Sequence, residues 1–471
     1  MTNKKTNIFA VFIAITVFLS SCEKAKVLPV EQAVKSMKVS ASSITTSTFT
    51  SNPKNLNIVM FVPTDNPALS DYRTRLTTLM VHFQSWLHTE MLRYGYDKYM
   101  GLPLDTGGLV KFIQIPAQGP QADYPYTASV SATKIINEIN AYKTTHPSEF
   151  SNSSHMLILM PQRTDGSSDG QPFYGWGKYC FALDNSNMAV DKIPSTSNYL
   201  GGMLHELGHG LNLPHDHAKY TSEQPVYGTS LMGSGNVTFS KGQPTFLTPV
   251  DAAILNRNEV FQSPLPVETP YASAVTTINA NLTYDSGLQT LNLIGNFTSD
   301  KTVSDILVYM DPKTSSSDAD YNAVTWRFNP GAGNTLTGAM ALNELNFKNN
   351  EPYDVRVKLL LNNGNTISKA YSFSFLNGVP QIGANGSAKF FQHGSYGGYG
   401  VSLPVGNYTT ANLASLGISD NDVSSLTLGF GIKVILYDGD NFTGSSIEMT
   451  SSSSFVSTFN DKASSIKVIA L

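Results

Sequence analysis

Cysteine is nearly missing from this chain: Cys22 and Cys180 are the two found in 471 residues. With at most one pair available, a disulfide framework is excluded. Charge is also sparse, at 14% Asp, Glu, Lys and Arg with a net charge of −4, and no basic run follows the opening residues. That excludes the cationic surface by which proteins hold nucleic acid. After the first segment no apolar run is long enough to cross a bilayer as a helix. Residues 266–382 hold neither His nor Cys, which removes the usual nitrogen and sulfur metal ligands from that stretch.

What is present begins with a targeting segment. Lys4 and Lys5 precede an apolar run over residues 8–19, too short to span a membrane as a mature helix. It ends in Leu19-Ser20-Ser21-Cys22, which resembles a bacterial lipobox. The resemblance implies a lipoprotein signal segment over 1–22, cleaved before Cys22 so that this residue becomes the lipidated start of the mature chain. The chain is then expected to cross the inner membrane and to be anchored by lipid in the bacterial envelope, at the outer membrane, periplasmic or surface-exposed. Residues 23–52 are polar and rich in Ser and Thr, and read as a flexible linker. Cys180 lies in the strand-like run Tyr179-Cys180-Phe181-Ala182-Leu183 and reads as a buried apolar thiol.

The length suggests about two to four domains. Residues 53–265 alternate strand and helix. Ile58-Val59-Met60-Phe61-Val62 is a short apolar strand, and Asn66-Pro67 a helix start. Leu76, Leu79, Met80, Phe83, Leu87 and Met91 follow at helical spacing, predicting a helix over about 68–94. Strands are expected over 110–115, 156–160 and 174–183, a second helix around Ile135 and Ile139, and a third over about 198–211. This order argues for an α/β layer fold. Residues 266–382 instead alternate short strands with turn clusters, including Asn362-Asn363-Gly364-Asn365. They read as an all-β sandwich of immunoglobulin or fibronectin type, serving as a spacer. Residues 386–471 hold an internal repeat. Phe391, Tyr396 and Gly398 are spaced as Tyr437, Phe442 and Gly444 are, and Asp420-Asn421-Asp422-Val423-Ser424-Ser425 matches Asn460-Asp461-Lys462-Ala463-Ser464-Ser465.

The chemistry concentrates in one place: four of the nine histidines fall between 205 and 217. In His205-Glu206-Leu207-Gly208-His209 the two histidines, four apart on a helix, face one side and can share a metal ion. Glu206 beside them is placed to take a proton from a water that the metal activates. Zinc suits nitrogen ligands and leaves a position open for that water. His215 supplies a third imidazole if the helix breaks, and Pro214 prevents its continuation. Asn212 stands at the break and tolerates a left-handed backbone. His217 is an alternative third ligand.

The stretch from His205 to His215 resembles the metzincin zinc signature H-E-x-x-H-x-x-G-x-x-H, with Asn212 where the family has Gly. Asp216 after the third histidine is similar to adamalysin-like members, in which an acidic residue supports the fold beneath the site. Met232, in Ser230-Leu231-Met232-Gly233, fits the family's Met-turn. No Tyr stands two residues beyond it, so the extra tyrosine ligand of astacin-like members has no counterpart there. The resemblance implies a zinc endopeptidase with Glu206 as catalytic base, hydrolysing proteins or glycoproteins that bind as an added strand along the sheet edge, for which residues 174–183 are the candidate.

The C-terminal repeat resembles a βγ-crystallin Greek-key domain. Its two hexapeptides look like the microbial calcium motif, which implies Ca2+ held by Asp420, Asn421, Ser424, Asn460, Asp461 and Ser464. The competing reading of the whole chain is a surface lipoprotein that binds glycan or protein through its β modules while the peptidase unit is inactive. Metal-dependent hydrolysis of a non-peptide substrate is a third.

Overall fold

Asn57–Val62 (β1), apart from its first residue, and Met156–Pro161 (β3) are apolar and buried on both faces, the mark of central strands covered from two sides. They sit inside a five-stranded sheet with Ile113–Pro116 (β2), Phe173–Trp176 (β4) and Tyr179–Asp184 (β5), in the order β2-β1-β3-β5-β4. The first four in that order run parallel and β4 is antiparallel to β5. Strand alternation divides the side chains. Ile58, Met60, Leu157 and Leu159 point to the face covered by helices Tyr72–Leu92 (α1) and Tyr199–Gly210 (α3). Val59, Phe61 and Ile158 point to the face covered by Ala128–Thr145 (α2) through Ile135 and Ile139. Each such buried side chain contributes about 1.5–3 kcal/mol.

The structure is a computed structural model and describes residues 54–163, 170, 172–195, 197–263, 267–314 and 320–471. The expected signal peptide, the linker and Cys22 lie outside the described residues. No helix among the described residues is long and apolar enough to cross a membrane.

Three boundaries differ from the sequence expectation. Helix α1 starts at Tyr72, because the Asn66 side chain donates to the Pro161 carbonyl at the end of β3 instead of capping a helix. The strand expected from Val110 begins at Ile113. The run 174–183 is a hairpin turning at Gly177, where φ is +60°. Of its two strands β4 lies at an edge of the sheet, and β5 is paired on both sides.

Beyond α3 come a two-residue parallel pair, Thr229–Ser230 (β6) with Thr245–Phe246 (β7), and helix Pro249–Arg257 (α4), closed at its start by the Thr248–Asp251 capping box. The next strands form two antiparallel sheets. Val303–Pro312 (β10), Val324–Phe328 (β11), Pro352–Leu361 (β13), Thr366–Leu376 (β14) and Val379–Gln381 (β15) are ordered β11-β10-β13-β14-β15. Thr276–Asp285 (β8), Thr290–Ser299 (β9) and Thr335–Ala341 (β12) are ordered β12-β9-β8. Residues of both sheets share one apolar core. The expectation of a spacer is overturned here: Leu307, Tyr309, Ala323 and Leu360 are fully buried in the same core as α1 and α3. One face of this unit is therefore a wall of the α/β unit.

The C-terminal strands make a three-stranded and a four-stranded sheet around a separate core. The repeat is visible in the backbone. Ser395 and Asn441 hold the same left-handed conformation, at φ 56°, ψ 31° and φ 54°, ψ 34°. The following Tyr396 and Phe442 N–H groups donate to Ser425 and Ser465 hydroxyls at 3.1 and 2.9 Å.

Candidate metal centre

Helix α3 presents His205 and His209 on one face, and the chain returns His215 to them because Asn212 adopts φ +73°, the left-handed turn expected of it. The Nε2 atom of His215 lies 3.3 Å from Nε2 of His205 and 2.9 Å from Nε2 of His209. One ligand atom from each of the three residues lies within 4.8 Å of the others, a spacing that one ion bridges. His217 is not part of the cluster; its Nδ1 meets the Ala218 carbonyl at 2.7 Å and its ring stacks on Tyr220.

The residues present fit a divalent cation. Nδ1 of His205 donates to the Leu231 carbonyl at 2.7 Å and Nδ1 of His209 to the Leu213 carbonyl at 2.8 Å. These bonds fix the tautomer and turn each Nε2 lone pair inward. Burial lowers the pKa of His205 to about 4, partly offset by the Leu231 carbonyl, and that of His209 to about 3. Both imidazoles are thus neutral at physiological pH, the state a ligand needs. The residues beneath the ligands are buried. Met232 is fully buried below α3; a Cβ on Gly208 would stand 2.5 Å from its Sδ. Asp216, also fully buried, accepts from the Ser230 hydroxyl before Met232 and from the Thr248 hydroxyl at 2.6 Å. It ties the metal loop to the start of α4.

Glu206 faces the edge strand. Burial raises its pKa to about 7, moderated by a hydrogen bond from the Gly175 N–H of β4. A carboxyl in that range both takes and returns protons near neutral pH. Gly175 is required for this closeness: a Cβ there would lie 3.1 Å from Glu206 Oε2 and 3.3 Å from His209 Cβ. Cys180 is fully buried at the Gly210 end of α3, and burial pushes its thiol well up, so it is inert as expected.

Sequence reasoning did not find Gly175, the Leu231 and Leu213 carbonyls, or Tyr321, whose ring stacks on His215 at 3.8 Å between centroids. None of them carries a local motif. In the C-terminal unit the two hexapeptides do meet. The Ser424 hydroxyl donates to Asp461 Oδ1 at 3.0 Å and the Ser464 hydroxyl to Asn421 Oδ1 at 3.3 Å. Asp420 is exposed, and Asn460 donates to its neighbour Asp461 at 2.8 Å; neither is seen to reach the other motif.

No family model matches the chain. Over 81 residues it is 42% identical to Development-specific protein S of Myxococcus xanthus; this covers 17% of the chain and 47% of that protein, so the chain spans about half the length of this curated relative. A βγ-crystallin domain from Flavobacterium johnsoniae is 42% identical over 18% of the chain and 93% of its own length, with a TM-score of 0.17. The crystal structure of wild-type OgpA from Akkermansia muciniphila is 32% identical and superposes with a TM-score of 0.64 over 69% of this chain and 95% of its own. A catalytically inactive OgpA, solved in complex with an O-glycopeptide substrate, is likewise 32% identical, with a TM-score of 0.64 over 69% of this chain and 94% of its own. Near-complete coverage of OgpA at this identity, together with three imidazoles gathered beside a half-buried glutamate, shows that the chain belongs to the OgpA family and is a zinc-dependent endopeptidase.

Proposed function

We propose that the chain is a metzincin-type, adamalysin-like zinc endopeptidase that cuts O-glycosylated proteins. The observation that carries this is the convergence of His205, His209 and His215 beside Glu206, with Glu206 bonded to the backbone of the sheet's free edge. Zinc held by these imidazoles would polarise the scissile carbonyl and acidify a water. The chain's own groups do the rest. Strand β4 offers its unpaired edge to an extended peptide, which places the scissile bond in front of Glu206. Glu206 receives the water proton and delivers it to the departing amine. An O-glycan on the substrate is suggested by the glycopeptide bound to OgpA. It is also suggested by Trp176, 43% exposed at the outer end of β4, a flat apolar face of the kind on which sugar rings pack.

Around this site we place a signal peptide over 1–22 with lipid on Cys22, a linker over 23–52, a catalytic domain over 53–265, an immunoglobulin- or fibronectin-like sandwich over 266–382 and a βγ-crystallin-like domain over 386–471. The anchor would hold the enzyme in the bacterial envelope, facing extracellular glycoproteins. Calcium is assigned to the C-terminal hexapeptides, with Asn421, Ser424, Asp461 and Ser464 as the best supported ligands because they already meet across the repeat.

The test is a digest of mucin-type O-glycoprotein and of its deglycosylated form, read by mass spectrometry, with metal content measured in parallel. Wild type should hold one zinc per chain and cut the glycosylated form. Glu206→Ala should keep its zinc and lose at least about 1000-fold in rate. Equal cutting by Glu206→Ala would remove the assigned base, and preference for the deglycosylated form would remove the substrate class.

A further inference from the structure

The metal-facing histidines have a neighbour from the other unit, and the chain is paired so as to bring it there. The His217 N–H donates to the Ala323 carbonyl at 2.7 Å, and His217 forms a parallel bridge with Val324. The segment leaving the metal site therefore runs alongside the segment entering β11. In that register Tyr321 arrives beside His215. Its ring lies 3.8 Å from the His215 ring at 30°, and 6.4 Å from the His205 ring at 17°.

The placement is held from behind. Asp320, at φ +66°, forms an ion pair with Arg356 on β13. Glu344, from the same unit, accepts from the Thr221 and Ser222 N–H groups at 2.9 and 3.1 Å and so clamps the loop that follows the ligands. Yet the phenol is not spent on the fold. Tyr321 is 44% exposed, and its hydroxyl has no hydrogen-bond partner among the described residues. An exposed ring fixed over two ligands, with a free donor at its tip, has the form of a preorganised electrostatic group.

We propose that Tyr321 is a catalytic residue of this site, its hydroxyl donating a hydrogen bond to the scissile carbonyl oxygen as that oxygen gains negative charge. The inference rests on the peptidase reading above. The water oxygen bonds to the carbonyl carbon, the carbonyl π pair moves onto oxygen, and the water proton passes to Glu206. The C–N bond then breaks as Glu206 returns that proton to the amine nitrogen. Tyr321 keeps its proton throughout and serves by being a stronger donor to the oxyanion than to the ground-state carbonyl. The β-sandwich unit is, on this account, half of the active site.

The decisive variant is Tyr321→Phe, which keeps the ring on His215 and removes only the hydroxyl. Its kcat should fall about 100-fold with KM within about twofold. Zinc content should not change. A phosphinic peptide, which mimics the tetrahedral oxygen, should bind the variant about 100-fold more weakly, while a plain substrate peptide should bind a Glu206→Gln background equally well with Tyr or Phe at 321. Phosphinate affinity and kcat both within threefold of wild type would overturn the proposal. So would a loss explained by missing zinc, with Tyr321→Phe metal-poor. A wild type that holds zinc but cuts no peptide would instead sink the peptidase reading itself, which separates the two failures.

Discussion

Two parts of this molecule gather metal-type ligands, and they do so in opposite ways. At His205, His209 and His215 the ligand atoms are buried or half-buried, and the Nδ1 atoms of His205 and His209 donate to backbone carbonyls. The supporting Met232 and Asp216 are fully buried. At the C-terminal hexapeptides exposed Asn421 and Asp461 bond to the buried Ser464 and Ser424 hydroxyls across the repeat. The first arrangement is built by the tertiary core and is preorganised for one ion and for chemistry. The second is a pair of turns related by an internal duplication, and the calcium proposed for it would add stability rather than chemistry. The lesson is that packing around the ligands is what prepares the histidine cluster for catalysis.

The comparison is broken most severely from below the histidines. Gly208→Ala drives a methyl group toward Met232, which has no exposed surface to yield into. The expected result is a loss of about 2 kcal/mol in chemical denaturation and at least about a tenfold weaker zinc affinity in a chelator competition.

Acid sharpens the contrast. His155 is fully buried, with Nδ1 on the Gly210 carbonyl at the end of α3 and Nε2 at 2.6 Å from the Tyr271 hydroxyl. Burial holds it well below the ordinary histidine value. The unfolded chain therefore takes up a proton as pH falls through about 6.5, while the folded chain does not, and stability is lost on acidification. Between pH 7 and pH 5 this amounts to on the order of 2 kcal/mol. Hydrogen exchange should show α3 loosening over that range while the C-terminal strands hold, and His155→Gln should remove this one histidine's share of the dependence while His205 and His209 keep theirs.

The smallest effect belongs to the repeat. Saturating calcium should raise stability by about 1–2 kcal/mol, read as a shift in the unfolding midpoint. Asn421→Ala combined with Asp461→Ala should abolish that shift and leave peptidase rates within twofold. A calcium response that survives the double variant would remove these ligands; a matching loss of zinc-dependent activity would erase the distinction between the two regions.

Much of the site lay open in the sequence because its geometry is local. Two histidines four apart share a helix face, and Asn212 with Pro214 turns the third back within six residues. The duplicated aromatic and Asp/Asn/Ser spacing likewise exposed the C-terminal repeat, since both copies fold into the same left-handed turn. The alternation of apolar residues predicted the central strands but not that 174–183 would fold back on itself, because strand pairing on both sides of β5 is a property of the sheet. Nothing local joins Tyr321 to His215, Gly175 to Glu206, or Asp216 to Thr248. Those contacts exist because separate segments bury their apolar faces in one shared core. Sequence by itself determined which groups can hold the ion and move the proton. Only tertiary structure decided which strand edge faces them and which neighbouring unit closes over them, because those choices depend on pairing register and burial between residues far apart in the chain.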